Sequence, residues 1–331
     1  MKLRRAGVAV AATAIGSLSL VALAPSFSAV ARASTQPVEM AAPYEYLGWG
    51  SPPSPTQVMA TTGTKDFTLA FILSHGACDP RWDGSRPLTG GVDASAINAI
   101  RAAGGDVVAS FGGWNGKKLG NSCRNSAALA AAYQKVITAY SLKAIDIDIE
   151  HGEVSNPKIR QRVIGALAIV QAADPGLEIS VTFGVSPSGP DAYGLSLISD
   201  AVALGFQPSA WTIMPFDFGV PVSDMGATSI AAARGLDTDL VTAYRESAAT
   251  AYQHIGVSSM NGRTDEPDET VSAADFQTIL GFAQANHLAR LTFWSVNRDR
   301  PCAGGSPVSD SCSGISQQPF AFTALDAQFH G

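Results

Sequence analysis

An α/β fold, a single-domain TIM (β/α)8 barrel, is what the sequence predicts, on three observations. Eight short segments rich in β-branched and aromatic residues recur along the chain, Ala-rich runs of helical character separate them, and polar or aromatic residues gather where several segments end. The candidate strands are 46–49, 67–73, 106–111, 144–150, 177–183, 210–215, 254–258 and 290–296. The candidate helices are 94–103, 127–140, 157–173, 195–204, 240–251 and 273–286. The strands read as continuous apolar runs, as in a parallel sheet buried on both faces. A doubly wound open sheet is the rival, but no Gly-rich phosphate loop follows the first strand. Pro52, Pro53 and Pro55, and residues 261–269, read as ordinary loops over the carboxyl ends of the strands.

Ahead of the first strand, Lys2, Arg4 and Arg5 precede an apolar run over residues 6–24, which breaks at Pro25 and is followed by Ala29, Ala31 and Ala33. This is the pattern of a secretory signal peptide. Cleavage after Ala33 is expected, leaving 34–331 as one domain, secreted and extracellular. Loss of Lys2, Arg4, Arg5 and Arg32 with no acid takes the formal charge from −6 to −10. Such a chain without a basic cluster does not suit nucleic acid, and no other stretch is apolar for long enough to span a membrane. A monomer is expected.

Cys78, Cys123, Cys302 and Cys312 form an even set in an exported chain, which favours disulfides. Four cysteines allow three pairings. Cys302 and Cys312 bracket a Gly/Ser-rich loop that they can close locally, which leaves Cys78 to join Cys123. The histidines His75, His151, His254, His287 and His330 are scattered, so neither a metal nor a cofactor is expected.

The chemistry concentrates in Asp146-Ile147-Asp148-Ile149-Glu150 on the fourth candidate strand. Spacing by two puts all three carboxylates on one face. Like charges inside a barrel repel, so at least one must stay protonated, as acid catalysis requires. An edge strand with solvent-facing acids is the bland alternative, disfavoured by the flanking helices. One strand earlier, Ser110-Phe111-Gly112-Gly113-Trp114 carries paired glycines that permit close backbone approach.

Together these segments resemble the family 18 glycoside hydrolases, whose hallmarks are a Ser-x-Gly-Gly strand followed by an Asp-x-x-Asp-x-Asp-x-Glu strand. The likeness continues through Met214-Pro215-Phe216-Asp217, similar to the family's Met-x-Tyr-Asp strand, and through Trp294, placed where the family keeps a tryptophan beneath the sugar. Residues 293–302 further resemble a bacterial chitinase subgroup. The resemblance implies hydrolysis of β-1,4-linked N-acetylglucosamine polymers or oligomers with retention of configuration. Glu150 would protonate the glycosidic oxygen while the substrate's own acetamido carbonyl attacks the anomeric carbon, giving an oxazolinium intermediate. Asp148 would orient that acetamido group, Asp146 would share a proton with Asp148, and Asp217 would hold the acetamido group or tune Glu150. Gly112, Gly113, Met214, Phe216, Asp217, Trp294, Trp49 and Trp114 are the candidate substrate-binding residues. Trp82 and Trp211 are expected to be packing residues, and Tyr44 and Tyr46 suit either role.

Two positions depart from the family pattern. Lys143 replaces the first Asp of the long motif, which bears on the support of Asp146. Phe216 replaces the tyrosine, and a hydrogen bond lost from a developing charge costs about 2–4 kcal/mol unless another group, such as a loop tyrosine, replaces it. An endo-β-N-acetylglucosaminidase acting on N-glycans would use the same carboxylates. A non-catalytic chitin-binding lectin of the same fold is the alternative from another class, and the presence of Glu150 argues against it.

Overall fold

The computed structural model describes residues 40–303 and 309–330. The leader expected over 1–33 lies outside them. Strands β1 (Tyr44–Tyr46), β2 (Phe67–His75), β3 (Val107–Gly112), β4 (Ala144–Asp148), β5 (Glu178–Gly184), β6 (Ala210–Met214), β7 (Ile255–Met260) and β8 (Arg290–Trp294) each pair in parallel with the next. β8 also pairs with β1, through Trp294 and Tyr44, so the sheet closes into a barrel. Helices α1 (Pro55–Thr62), α2 (Gly91–Ala102), α3 (Leu119–Ser122), α4 (Ser126–Tyr140), α5 (Gly152–Ser155), α6 (Pro157–Ala173), α7 (Ala192–Ala203), α8 (Met225–Tyr244), α9 (Ala248–Tyr252), α10 (Ala273–Ala285) and α11 (Ala321–Asp326) occupy the connections and the C-terminal segment. The fold is the expected (β/α)8 barrel. Cys78 is joined to Cys123, and Cys302 to Cys312.

Local chemistry starts the helices. Side-chain oxygens of Asn125, Asn156, Asp191, Asp224 and Ser272 accept backbone N–H bonds at the first turns of α4, α6, α7, α8 and α10. Ser272 and Asp275 complete a reciprocal capping box. Pro55 was expected in a loop but opens α1, because a proline's missing N–H costs nothing in a first turn. The helix expected at 240–251 is instead the end of α8, a left-handed break at Arg245, and α9 capped by Ser247. Gly226 and Gly235 hide the start of α8 in the sequence. Gly235 is there for packing, since a Cβ would come within 1.9 Å of the Ser188 carbonyl oxygen.

The first strand lies earlier than expected. Gly48 and Gly50 end the extended run, so β1 covers 44–46 and Trp49 falls in the following loop. The expectation of uniformly apolar strands is also corrected. Both faces are buried, but the barrel interior is polar, with Thr68, Ser110, Asp146, Ser180, Thr182, Thr212, Arg290 and Thr292 all shielded from solvent. The outward face of β4, Ile145 and Ile147, joins the apolar core that includes Leu129, Val163, Ile164 and Leu167 of the helices. Residues 261–269 are not an ordinary loop: Gly262–Arg263 and Thr270–Val271 pair as a short antiparallel ribbon.

Glu45, between the inward Tyr44 and Tyr46, is fully buried, and neither of its carboxyl oxygens has a hydrogen-bond partner among the described residues. Burial pushes its pKa up to about 8, so the folded state holds its proton more tightly than the unfolded chain does. Its contribution to stability is therefore complete below the unfolded pKa of about 4.5 and is lost as pH rises through about 8. Urea titrations across this range should show the wild type losing stability relative to Glu45→Gln as pH rises; a pH-independent difference would place the proton elsewhere.

Candidate active site

The register of the barrel brings the polar residues together. Asp146 lies opposite Ser110 of β3 and Ser180 of β5, and Asp148 lies opposite Gly112 and Thr182. Asp146 is completely enclosed, with Oδ2 accepting from Tyr44 Oη at 2.8 Å and Ser110 Oγ at 2.5 Å. Oδ1 accepts from Thr182 Oγ1 at 2.6 Å and from the Arg290 guanidinium at 2.7 Å. Arg290, also 0% exposed, donates further to Ser180 and Thr68, both at 2.9 Å, and its guanidinium carbon lies 5.3 Å from the centre of the Tyr44 ring. Four donors fill the acceptor positions of Asp146. The proton sharing expected between Asp146 and Asp148 therefore has no vacant site on Asp146.

Asp148 is buried, and its Oδ1 has no partner among the described residues. Burial, then Glu150 and Asp146, hold its pKa well above the usual carboxylate range. Glu150 follows the end of β4, and burial pushes it up to about 7, with Lys118 opposing the shift and Asp217 adding to it. The two glycines of β3 explain how β4 is approached so closely. A Cβ on Gly112, at φ 111°, would come within 2.0 Å of the Asp148 carbonyl oxygen, and one on Gly113 would meet the Phe71 ring at 2.7 Å. Both are buried in backbone packing and do not line the cleft.

A cleft of about 950 Å³ opens over the carboxyl ends of the strands, with Asp148, Glu150, Asp217, Met214, Phe216, Trp49, Trp114 and Trp294 in its lining. Trp294 ends β8 and stacks on Phe71, ring centres 5.6 Å apart and planes 14° from parallel. Trp114 is 64% exposed, and its ring centre is 3.6 Å from that of His151, which has a left-handed φ of 49°. Trp49 lies against Tyr46, whose ring also lines the cleft, while Trp82 and Trp211 are buried packing residues. Among the described residues, no group of three His, Cys, Asp or Glu is arranged to hold a metal ion.

Asp217 is set by the short ribbon. Its N–H and that of Phe218 donate to Glu269 Oε2 and Oε1 at 2.7 and 2.8 Å, while its own Oδ1 accepts from the N–H groups of Asp265 and Glu266. Burial raises its pKa above the ordinary value. Beside Phe216, which brings no hydroxyl, Tyr193 of the first turn of α7 enters the same lining. Lys143 is at the other end of β4, 84% exposed and paired with Asp106 at 2.9 Å. It belongs with a second cavity of about 670 Å³ lined also by Asp66, Asp106 and Glu178.

Arg290, Lys118, Glu153 and Glu269 were not anticipated from sequence. Arg290 alone had a signal, since it shares the spacing-by-two face of its strand with Thr292 and Trp294. An acid kept protonated at the mouth of a barrel, beside two further carboxyls and a tryptophan floor, is the arrangement of a glycoside hydrolase.

Comparisons with known proteins narrow the class. No family model matches the chain. The catalytic domain of a hyperthermophilic chitinase from Pyrococcus furiosus superposes with a TM-score of 0.78 at 30% identity, over 87% of this chain and 93% of that one. Catalytic-site mutants of active domain 2 of that organism's thermostable chitinase, complexed with chito-oligosaccharides, match equally. A probable bifunctional chitinase/lysozyme from Escherichia coli K12 is 28% identical over 312 residues, 88% of this chain and 35% of that protein. Endochitinase 11 from Metarhizium anisopliae is 27% identical over 287 residues, 81% of this chain and 54% of that protein. The chain thus spans about a third and about half of these two relatives, and it belongs to the chitinase family, family 18 of the glycoside hydrolases.

Replacing Arg290 by Met should leave Asp146 buried and unpaired, at a cost of about 3–5 kcal/mol, whereas Tyr44→Phe removes one hydrogen bond of several and should cost about 1 kcal/mol. Urea unfolding of the two variants measures this order, and equal losses would contradict it.

Proposed function

We propose that the protein hydrolyses β-1,4-linked N-acetylglucosamine chains or oligosaccharides, with Glu150 as general acid and the substrate's acetamido group as nucleophile. The observation that carries the reading is the graded row of carboxyls along β4 and just past its end. Asp146 is neutralised by Arg290, Asp148 is kept protonated by burial, and Glu150 is half-buried at the cleft floor with a pKa about 7. A general acid is most effective when its pKa lies near the working pH.

In this reading the substrate's acetamido carbonyl attacks the anomeric carbon as Glu150 gives its proton to the departing glycosidic oxygen. Asp148 orients the acetamido group through its unpartnered Oδ1, and the carboxylate left on Glu150 by the proton transfer stabilises the positive charge that develops on the oxazolinium. Glu150, now a carboxylate, takes a proton from the water that opens the intermediate, and the two displacements at one carbon retain its configuration. Trp294 offers a flat apolar surface beneath the sugar ring. Asp217, held by Glu269 and the ribbon, faces Glu150 and favours its protonated form. Chito-oligosaccharide binding by the Pyrococcus furiosus mutants supports the substrate class. Action outside the cell is part of the proposal, resting on the leader pattern of residues 1–33.

Incubation of the protein with chitin oligosaccharides, followed by mass spectrometry, should show cleavage that Glu150→Gln reduces by about 10²–10⁴-fold. Because the acid works only when protonated, kcat/KM should fall as pH rises through about 7. Binding without cleavage by the wild type would overturn the hydrolase in favour of a lectin.

A further inference from the structure

Behind Glu150 lies a buried cluster that the mechanism above does not use. Lys118 and Glu153 are each only 5% exposed. Lys118 sits just before α3, and its ammonium donates to the carbonyl oxygens of Gly112, at 3.2 Å, and Asn115. Gly112 is the register partner of Asp148, so this contact anchors the cation at the end of β3 beside the row of carboxyls. Glu153 is brought to the same place by a turn in which its N–H donates to the Glu150 carbonyl oxygen at 3.0 Å. Its carboxyl packs on Gly120 so closely that a Cβ there would fall within 2.2 Å of Oε1. Lys118 forms no salt bridge among the described residues, and two of its three N–H groups are spent on carbonyls. Its charge therefore acts through space on both glutamates.

We propose that Lys118 and Glu153 are a positioning pair that fixes the pH range over which Glu150 keeps its proton, one buried cation being shared between the buried Glu153 and the half-buried Glu150. The proposal rests on Glu150 being the acid. One ammonium balances one carboxylate, so the second carboxyl must hold a proton or bury an unpaired charge. The other titratable groups facing the cluster are Asp148 of β4, which faces both Lys118 and Glu150 and is held protonated by its burial, Asp217 after β6, which faces Glu150, and Tyr133 of α4, which faces Glu153. Burial raises Glu150 and Glu153 alike, Lys118 opposes the rise in both, and each comes to about 7. The Glu150 charge raises Glu153 in turn, so in this proposal the two glutamates share one proton.

Opposite substitutions should displace the alkaline limb of kcat/KM in opposite directions. Lys118→Met removes the counterion of the Glu150 carboxylate, so the proton is held more tightly and the limb moves up by about one pH unit. Glu153→Gln removes a like charge and leaves Lys118 to Glu150 alone, so the limb moves down by a similar amount, with a roughly tenfold loss of kcat/KM on the alkaline side. Lys118→Arg should retain the wild-type limb. A purely structural role would lower the rate without moving the limb, or move it the same way in both variants, and either result overturns the proposal. If Lys118→Met does not fold, the direction of the Glu153→Gln displacement decides by itself. Glu150→Gln, assayed alongside, separates the two levels of inference. Full activity in it would refute Glu150 as the acid, whereas an inactive Glu150→Gln with unmoved limbs in the other variants would refute only the role of Lys118 and Glu153.

Discussion

The ion pair between Arg290 and Asp146 is the constraint around which the barrel interior is organised. Both groups are wholly removed from water and meet at 2.7 Å. A buried pair of this kind gains little net stability over apolar packing, because desolvating two ions offsets most of their attraction. What it does here is assign charge. With Asp146 paired and saturated by Tyr44, Ser110 and Thr182, the next carboxyl along β4 meets a filled site on one side and Glu150 on the other. Asp148, buried between Asp146 and Glu150, keeps its proton, whereas Glu150 is raised by its own burial and by Asp217 against the pull of Lys118. The state of Asp148 thus depends in part on a contact two residues deeper in the barrel.

Backbone geometry is what lets this chain of effects reach the cleft. β3 can lie against β4 at Asp148 because Gly112 has no Cβ, and Phe71 can reach Trp294 because Gly113 has none. On the far side Glu269 grips two successive N–H groups, of Asp217 and Phe218, and so fixes a left-handed residue at φ 51° opposite Glu150. Strained or non-standard conformations concentrate where function needs a side chain aimed against the local preference. Asp217 and His151, both non-glycine residues with positive φ, flank the acid.

Those features with a local periodic signature were legible in the sequence. The eight strands, the two-residue spacing of Asp146, Asp148 and Glu150, and the glycine pair of β3 all belong to single segments. The reading failed where the determining contact is distant. Glu269 looks like one acid in a polar loop until the ribbon places it under Asp217, 52 residues earlier. Arg290 and Asp146 are separated by 144 residues and meet only because the sheet closes. The start of α8 was hidden because Gly235 is required by the backbone of Ser188, a tertiary demand that weakens the helical pattern. Lys118 reads as a solvated charge beside Lys117, and nothing local marks it as the buried member of the two.

The two departures from the family pattern differ in weight for the same positional reason. Lys143 precedes β4 at the base of the barrel, largely in solvent, where its pairing with Asp106 is worth at most about 1 kcal/mol. The support of Asp146 does not depend on it, since four other groups supply that support from β1, β3, β5 and β8. Phe216 lies in the cleft itself, where a missing donor is felt by whatever charge develops there. Donors nearby have other commitments: Tyr44 is bonded to Asp146, and Tyr46 lies against Trp49 and under Arg86. Tyr193 enters from α7 with its side chain half exposed over the cleft. A hydroxyl carried on an exposed ring costs conformational entropy to immobilise, so it stabilises charge less than one held in place beforehand. Phe216 is therefore the departure that reaches the cleft, while Lys143 lies at the opposite end of the barrel.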